Sequence, residues 1–131
     1  MKIIVFCSDE TNGGIPQFAL RLTACICKLG HCSTLYLPKN SQLPIHNYSD
    51  ILFFTKKKTV NPNNNAAKAI AGLIEEKEPD LVIFPDDALF SIQVLMALKD
   101  DIKTAITIHD VRMHPSHFNL RKKVICMLNK I

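Results

Sequence analysis

The stretch KIIVFCSDETNGGIPQFALRLTACICKL (residues 2–29) decides the fold of this chain. Its first six residues form an apolar, β-branched run of strand length, and the polar segment that follows closes on Gly13 and Gly14. Apolar residues then recur at helical spacing until Gly30 ends the helix. A buried strand that leads through a glycine turn into a helix is typical of a doubly wound α/β domain. The residues of this helix predicted to face the core are Ile15, Phe18, Ala19, Leu22, Ile26 and Leu29.

The remaining sequence predicts four more strands and three more helices. The runs LVIFP and KTAITI are apolar enough for buried strands of a parallel sheet. Either Asn64 or Asn65 can cap the helix predicted from Ala66, and either Asp86 or Asp87 can cap the helix predicted from Ala88. The predicted strands are Cys32–Leu37, Ile51–Thr55, Leu81–Pro85 and Lys103–Ile108, and the predicted helices are Ala66–Lys77, Ala88–Lys99 and one from Phe118.

The order β-α-β-β-α-β-α-β-α indicates one domain, residues 1–131, of the α/β class. We expect a Rossmann-like three-layer αβα sandwich whose mainly parallel sheet has about five strands in the order 3-2-1-4-5. The first, fourth and fifth strands then end in Ser8–Gly14, Pro85–Asp87 and His109–Asp110. Because ligands bind at the carboxyl edge of such sheets, these three polar segments predict a site on one rim.

Composition places the chain among soluble globular proteins. It has 47% hydrophobic and 21% charged residues, and no apolar run approaches the ~20 residues of a membrane span. We therefore expect a cytoplasmic protein. Its five cysteines are an odd number, which favours buried, reduced thiols over disulfides. Cys25 and Cys27 lie two residues apart on a helix and point in different directions, so they are poorly placed to ligate the same metal ion.

The net charge of +4 is unevenly distributed. Five basic residues and no acidic one follow Asp110, which predicts either a solvated helix face or a contact with phosphate groups or an anionic membrane surface. No aromatic residues are interleaved as single-stranded nucleic acid would need, and we expect no nucleic-acid partner. The three lysines at 56–58 open a turn-rich stretch that is predicted to be a mobile, exposed loop.

His109 is the leading candidate for chemistry, since it directly follows a predicted strand and precedes Asp110. It can present one ring nitrogen to a ligand, or it can be a hydrogen-bonded structural histidine. His109, His114 and His117 invite a metal site, but they lie on a Pro-containing loop without helical i, i+4 spacing, and we predict no metal and no cofactor. For the adjacent pair Asp86-Asp87, helix capping is favoured over paired acid–base carboxylates.

Three segments together resemble family 4 glycosyltransferases of the GT-B fold. NGGIPQFALRLTACICKLGHCSTLYLP is similar to the start of that family, where a Gly-Gly loop opens the first helix and a Gly-His pair precedes the second strand. EPDLVIFP is similar to its Pro-Asp-hydrophobic fourth strand, and TIHDVRMHPSHFNLRKKVI to its Thr-x-His-Asp…His-Pro segment.

The resemblance implies the N-terminal, acceptor-side domain of a retaining transferase whose C-terminal domain binds a nucleotide-sugar donor. It places Gly13 and Gly14 near the donor's diphosphate or sugar, His109 against the transferred sugar, and Asp110 in support of that histidine. Asp86 on the same rim and His114 complete the candidate substrate-binding residues. Ser116-His117 stand where relatives often have Gly-Glu, which puts acceptor contacts of that loop in question.

Relatives in that family continue with more strands and a donor domain, so we expect a truncated domain that transfers no sugar alone. A glycan or a lipid-linked molecule is the expected acceptor, and a peripheral contact with the inner face of a membrane stays open. The alternative is a Rossmann-like binding or interaction module without catalysis. Apolar surface at the place where the missing strands and domain would pack could be covered by self-association. A homodimer is therefore expected.

Overall fold

The computed structural model describes residues 1–45, 50–56 and 64–108, which form a parallel five-stranded sheet with helices on both faces. The strand order is β3-β2-β1-β4-β5 and every pairing is parallel, which confirms the predicted Rossmann-like topology. The elements are β1 (Lys2–Phe6), α1 (Gly14–Lys28), β2 (Cys32–Pro38), β3 (Ile51–Phe54), α2 (Asn65–Glu75), β4 (Leu81–Phe84), α3 (Leu89–Ala97) and β5 (Thr104–Ile106).

β1 is the central strand, and its alternating side chains serve both faces of the sheet. Val5 pairs with Leu35 of β2 on one side and with Ile83 of β4 on the other. Phe6 and its neighbours at even positions face α2 and α3, whereas the odd positions face α1. Because both faces of β1 are covered, its buried residues must be apolar. KIIVF accordingly contains only one polar residue, the exposed Lys2 at its start.

Aromatic rings fill the core beneath α2 and α3. The ring of Phe6 stacks on that of Phe54 with centroids 4.8 Å apart and lies 5.6 Å from that of Phe84. Phe90 of α3 stacks on Phe54 at 5.9 Å, so strands from the centre and one edge of the sheet share a cluster with a helix. On the opposite face, α1 packs Ala19, Leu20 and Ile26 against β1 and β2.

The inward face of α1 differs from the predicted one. Phe18 and Leu29 were expected in the core but are 43% and 75% exposed, whereas Leu20 and Thr23 are buried. Thr23 can be buried because its hydroxyl donates to the Ala19 carbonyl oxygen at 2.8 Å, which satisfies it within the helix. The other four predicted residues do belong to this side of the core, because Ala19 and Ile26 are buried and Ile15 and Leu22 pack against it. The periodicity was right, and the packed face is turned toward Leu20 and the polar Thr23.

The end of α1 is as predicted. Gly30 has φ +85°, and its N–H donates to the Cys27 carbonyl while that of His31 donates to Ile26, which closes the helix through a left-handed residue. A side chain at this position would be strained, so the stop depends on glycine.

Two further expectations are wrong. β5 is an edge strand whose Thr104 and Ala105 are exposed, so it is not the buried strand that its apolar sequence predicts. Cys7 is buried, but Cys25, Cys27 and Cys32 are exposed free thiols. The predicted helix from Phe118 lies outside the described residues. Within the described ranges, no helix has the length and apolar character needed to span a bilayer.

The cap of α2 resolves the choice between two neighbouring asparagines. The Asn64 side-chain oxygen accepts from the backbone N–H groups of Ala66 and Ala67 at 3.0 and 3.4 Å. Its amide nitrogen donates to Gln93 of α3 at 2.9 Å within the core, and Asn64 is 3% exposed. Asn64 therefore both starts α2 and fixes it against α3.

Asn64→Ala is expected to lower the free energy of unfolding by about 2 kcal/mol, because it removes both the cap and a buried side-chain hydrogen bond. Asn65→Ala, at the exposed neighbouring position, is the matched control and should change it by less than ~0.5 kcal/mol. Urea unfolding followed by circular dichroism measures both, and equal losses would contradict the assignment of the cap.

Candidate functional site

An open cleft of about 340 Å³ lies at the carboxyl ends of β1 and β4. This is the point where neighbouring strands lead to opposite faces of the sheet, since the helix after β1 covers one face and the helix after β4 the other. Parallel α/β sheets bind ligands at such points. The cleft is lined by Ser8, Asp9, Glu10, Thr11, Ile15, Lys56, Asp86, Asp87 and Ala88.

Asp86 joins the two strand ends that form the cleft. Its carboxylate accepts from the Ser8 backbone N–H at 2.9 Å and from the Ser8 hydroxyl at 3.1 Å. It also accepts from the Ala88 N–H at 3.0 Å, just before α3 begins. Asp86 and Ser8 are 2% and 0% exposed, so this is a buried bridge between the β1 and β4 loops.

The prediction that Asp86 or Asp87 is the N-cap residue of α3 is wrong. The residue that precedes α3 is Ala88, which has no side-chain cap, and Asp86 reaches the Ala88 N–H from two residues upstream. The carboxylate is occupied chiefly by the long-range contact to Ser8, which local sequence could not reveal.

Lys56 is a cleft residue that the sequence analysis missed. It was expected in an exposed loop, but its ammonium donates to the Ser8 carbonyl oxygen at 3.0 Å and the side chain is partly buried. The feature of the sequence that could have identified Lys56 is its position. It comes two residues after the end of β3, at the same edge of the sheet as Ser8.

The loop from Asp9 to Gly13 is held by local hydrogen bonds. Asp9 accepts from the Thr11 N–H at 2.8 Å, and the Thr11 hydroxyl accepts from the Gly13 N–H at 3.1 Å. The backbone carbonyl of Glu10 accepts from the Gln42 N–H at 2.9 Å. The loop is therefore an ordered wall of the cleft.

The two glycines occupy the start of α1 next to this loop. Gly13 is the N-cap, with φ −84°, and a Cβ there would lie 3.0 Å from the Thr11 hydroxyl oxygen. Gly14 is the first helical residue, and a Cβ there would meet nothing within 4 Å. Neither glycine is required by its backbone angles, and the open space at Gly14 lets a ligand approach the helix N-terminus closely.

Cys7 lies directly below this site, at the end of β1. Burial raises the pKa of its thiol from 9.0 to about 12, and the nearby Asp86 carboxylate adds to the rise. The thiol is therefore protonated and unreactive at neutral pH, a packing residue of the site's floor.

The structure brings together part of the predicted rim. Asp86 meets the loop after β1, and Gly13 and Gly14 lie at the far end of that loop. His109, Asp110 and His114 lie outside the described residues. Across residues 1–45, 50–56 and 64–108, no cluster of three or more histidine, cysteine or acidic side chains is arranged to hold a metal ion.

Comparison with solved structures finds matches that include two alpha-glucosyltransferase structures. One is an alpha-glucosyltransferase (AGT) in complex with UDP, with a TM-score of 0.56 and 18% identity over 94% of this chain and 30% of that one. The other is an alpha-glucosyltransferase in complex with UDP-glucose and DNA containing an abasic site, with a TM-score of 0.54 and 20% identity over 94% of this chain and 31% of that one.

At these identities the similarity shows the fold alone, a parallel α/β domain of Rossmann-like topology that these glucosyltransferase structures also contain. The chain spans less than a third of the length of either neighbour. Searches against protein-family models and curated proteins found no match.

Asp86→Ala is expected to lower the free energy of unfolding by about 3 kcal/mol, because a buried N–H and a buried hydroxyl lose a charged acceptor. Asp100→Ala, at an exposed turn on the opposite edge of the sheet, should change it by less than ~0.5 kcal/mol. Denaturant titration compares the two. A loss no greater for Asp86 than for Asp100 would refute the bridging role.

The raised pKa of Cys7 predicts alkaline destabilisation. The folded thiol keeps its proton between pH 9.0 and about 12, where the unfolded thiol loses it, so stability present below pH 9.0 falls as pH rises through this window. The loss attributable to Cys7 should be about 1.4 kcal/mol at a pH one unit above 9.0, the ordinary pKa of the thiol. It is measured as the slope of unfolding free energy against pH.

Cys7→Ala should flatten that slope, whatever its effect on absolute stability. Cys32→Ala, which removes an exposed thiol, is the control and should leave the slope unchanged. An unaltered slope in Cys7→Ala would show that the thiol ionises normally in the folded protein.

Proposed function

We propose that this chain is the acceptor-side domain of a nucleotide-sugar-dependent glycosyltransferase of the GT-B type, similar to family 4. The observation that carries the proposal is the match of 94% of the chain to glucosyltransferases whose structures hold UDP and UDP-glucose. The resemblance of the Gly-Gly, Pro-Asp and His-Asp…His-Pro segments supports the same assignment independently of the coordinates.

The start of α1 supports the approach of a donor diphosphate. Helix N-termini present unpaired N–H groups and a partial positive charge, which stabilise phosphate oxygens. No acidic residue lies in the first turn of α1, and the space beside Gly14 is open. In the proposed reaction these N–H groups help to stabilise the charge that develops on the leaving diphosphate, without a metal ion.

The cleft supports the binding of an acceptor. Its walls are rigid, since Asp86 ties the β1 loop to the β4 loop and Lys56 ties the β1 loop to the end of β3. Its polar lining offers hydroxyl, carboxylate and ammonium groups, which are the partners that sugar hydroxyls use. His109 contacts the transferred sugar in this proposal, and Asp110 orients the imidazole; His114 contributes to acceptor binding.

A second domain, supplying most donor contacts, belongs to the proposal. The chain corresponds to about three-tenths of each neighbour's length, so the activity of a whole transferase requires more protein than these 131 residues. The isolated chain is accordingly expected to release no UDP from UDP-glucose.

The second candidate is a binding module without catalysis. It is favoured by the same short coverage, together with the polar cleft that the described residues line. The DNA in one neighbour's complex belongs to that protein; the acceptor of this chain is proposed to be a glycan or a lipid-linked molecule.

The test of the proposed function is turnover by the product of the complete reading frame that contains this sequence. UDP-, ADP- and GDP-sugars are supplied with candidate acceptors, and the release of the nucleoside diphosphate is measured. In an active protein, His109→Ala is expected to lower kcat at least ~100-fold while the circular dichroism spectrum is unchanged.

His117→Ala is the matched control for this substitution, since it removes a histidine eight residues along the same segment. It should keep turnover within a few-fold of the unaltered protein. Full turnover in His109→Ala would remove His109 from the mechanism. A complete protein that binds sugars but releases nucleotide from none of the donors would favour the binding module.

A further inference from the structure

The charge of the cleft distinguishes between classes of ligand. Among the described residues that line it, Asp9, Glu10, Asp86 and Asp87 carry carboxylates, and Lys56 carries the one ammonium group. The described lining is therefore strongly acidic, in a chain whose net charge is +4. The negative charge of the described lining is therefore a local feature of the cleft and does not follow from the overall composition of the chain.

The ammonium of Lys56 does not neutralise these carboxylates by direct pairing. It donates to the backbone carbonyl of Ser8 at 3.0 Å. In the described part of the chain, the ion pair within 4 Å joins Lys99 to Glu75, which lie outside the cleft. That bond uses one of the three N–H donors of the ammonium, so Lys56 keeps its positive charge, but it is one cation against four carboxylates in the described lining.

The carboxylates differ in what they can offer a ligand. Asp86 is buried and accepts three hydrogen bonds from Ser8 and Ala88. Asp9 accepts from the Thr11 N–H. Glu10 is partly exposed, and its side chain has no hydrogen-bond or ion-pair partner among the described residues. Glu10 is therefore the carboxylate of the β1 loop that can turn its oxygens to a ligand.

We propose that this cleft accepts a hydroxyl-rich ligand that is uncharged or carries an ammonium group, that it rejects phosphate-bearing ligands, and that Glu10 sets this preference. The inference rests on the proposed function, in which the cleft is the acceptor site, and it narrows the acceptor class. A carboxylate accepts hydrogen bonds from hydroxyl and ammonium donors, and these are stronger than bonds between neutral groups. A phosphate group in place of a hydroxyl cannot donate such a bond and meets like charge, which weakens binding.

The experiment uses three sugars that differ at one substituent: D-glucose, D-glucosamine and D-glucose 6-phosphate. Each is titrated into the ¹⁵N-labelled 131-residue chain at low ionic strength and about pH 6, where the sugar amine is protonated. The amide signals of the loop at residues 8–11 report binding. We expect glucosamine to bind about fivefold more tightly than glucose, and glucose 6-phosphate to bind at least about fivefold more weakly.

Glu10→Gln tests the residue, since it keeps the size and the hydrogen-bonding capacity but removes the charge. It should lower both ratios, glucosamine over glucose and glucose over glucose 6-phosphate, at least about twofold, because one of the four carboxylates of the described lining loses its charge. Asp100→Asn removes one negative charge from an exposed turn at the opposite edge of the sheet and should preserve the order. Dispersed spectra of both variants establish that they are folded.

The outcomes separate this inference from the proposed function. Sugars that bind in a different order, or affinity ratios that are unchanged in Glu10→Gln, overturn the preference assigned to Glu10 and leave an acceptor site in place. If none of the three sugars shifts the loop signals, the cleft is not a sugar site, and both proposals fail.

Discussion

The buried bridge between Asp86 and Ser8 is the constraint on which the rest of the site depends. The two residues are 78 positions apart in sequence, and each follows a strand that leads to a different face of the sheet. Parallel strands bring their carboxyl ends to one edge, but nothing in strand pairing fixes the loops beyond them. A carboxylate that accepts an N–H and a hydroxyl from the other loop fixes both. The cleft keeps its shape because its two walls share this buried contact.

The two cores of the domain supply the rigidity that the bridge requires. The aromatic cluster around Phe6 ties β1, β3 and β4 together beneath α2 and α3, while the aliphatic residues on the other face hold α1. Cys7 lies at the boundary between the α1-side core and the site. The rise in its pKa has two causes that belong to these two regions, namely burial in the core and the charge of Asp86. The floor of the cleft is thus apolar packing, and polar chemistry begins at Ser8.

The sequence was sufficient for the features that depend on local pattern, and insufficient where long-range contacts decide. The strand order follows from the doubly wound topology that the sequence predicts. In α2 the buried residues Ala67, Ile70, Ala71 and Ile74 recur at helical spacing, a pattern that the sequence itself contains. The phase of α1 could not be predicted, because Thr23 hides its hydroxyl within the helix. Lys56 was assigned to an exposed loop, since its partner is a carbonyl 48 residues away that no short-range pattern records. The roles of His109, Asp110 and His114 remain predictions, because they lie outside the described residues.

The site divides its charge between two neighbouring structures, the N-terminus of α1 and the acidic cleft. The N-terminus of α1 offers backbone N–H groups beside Gly14, with no carboxylate in its first turn, which favours phosphate oxygens. The cleft beside it is lined by carboxylates and favours hydroxyl or ammonium donors. Ile15, in the first turn of α1, also lines the cleft, so the two structures are direct neighbours. In the proposed function, the diphosphate of a nucleotide-sugar would be attracted to the helix N-terminus and the hydroxyl of an acceptor to the carboxylates. The two substrates of the proposed reaction would then be oriented by electrostatics before any side chain took part in the chemistry.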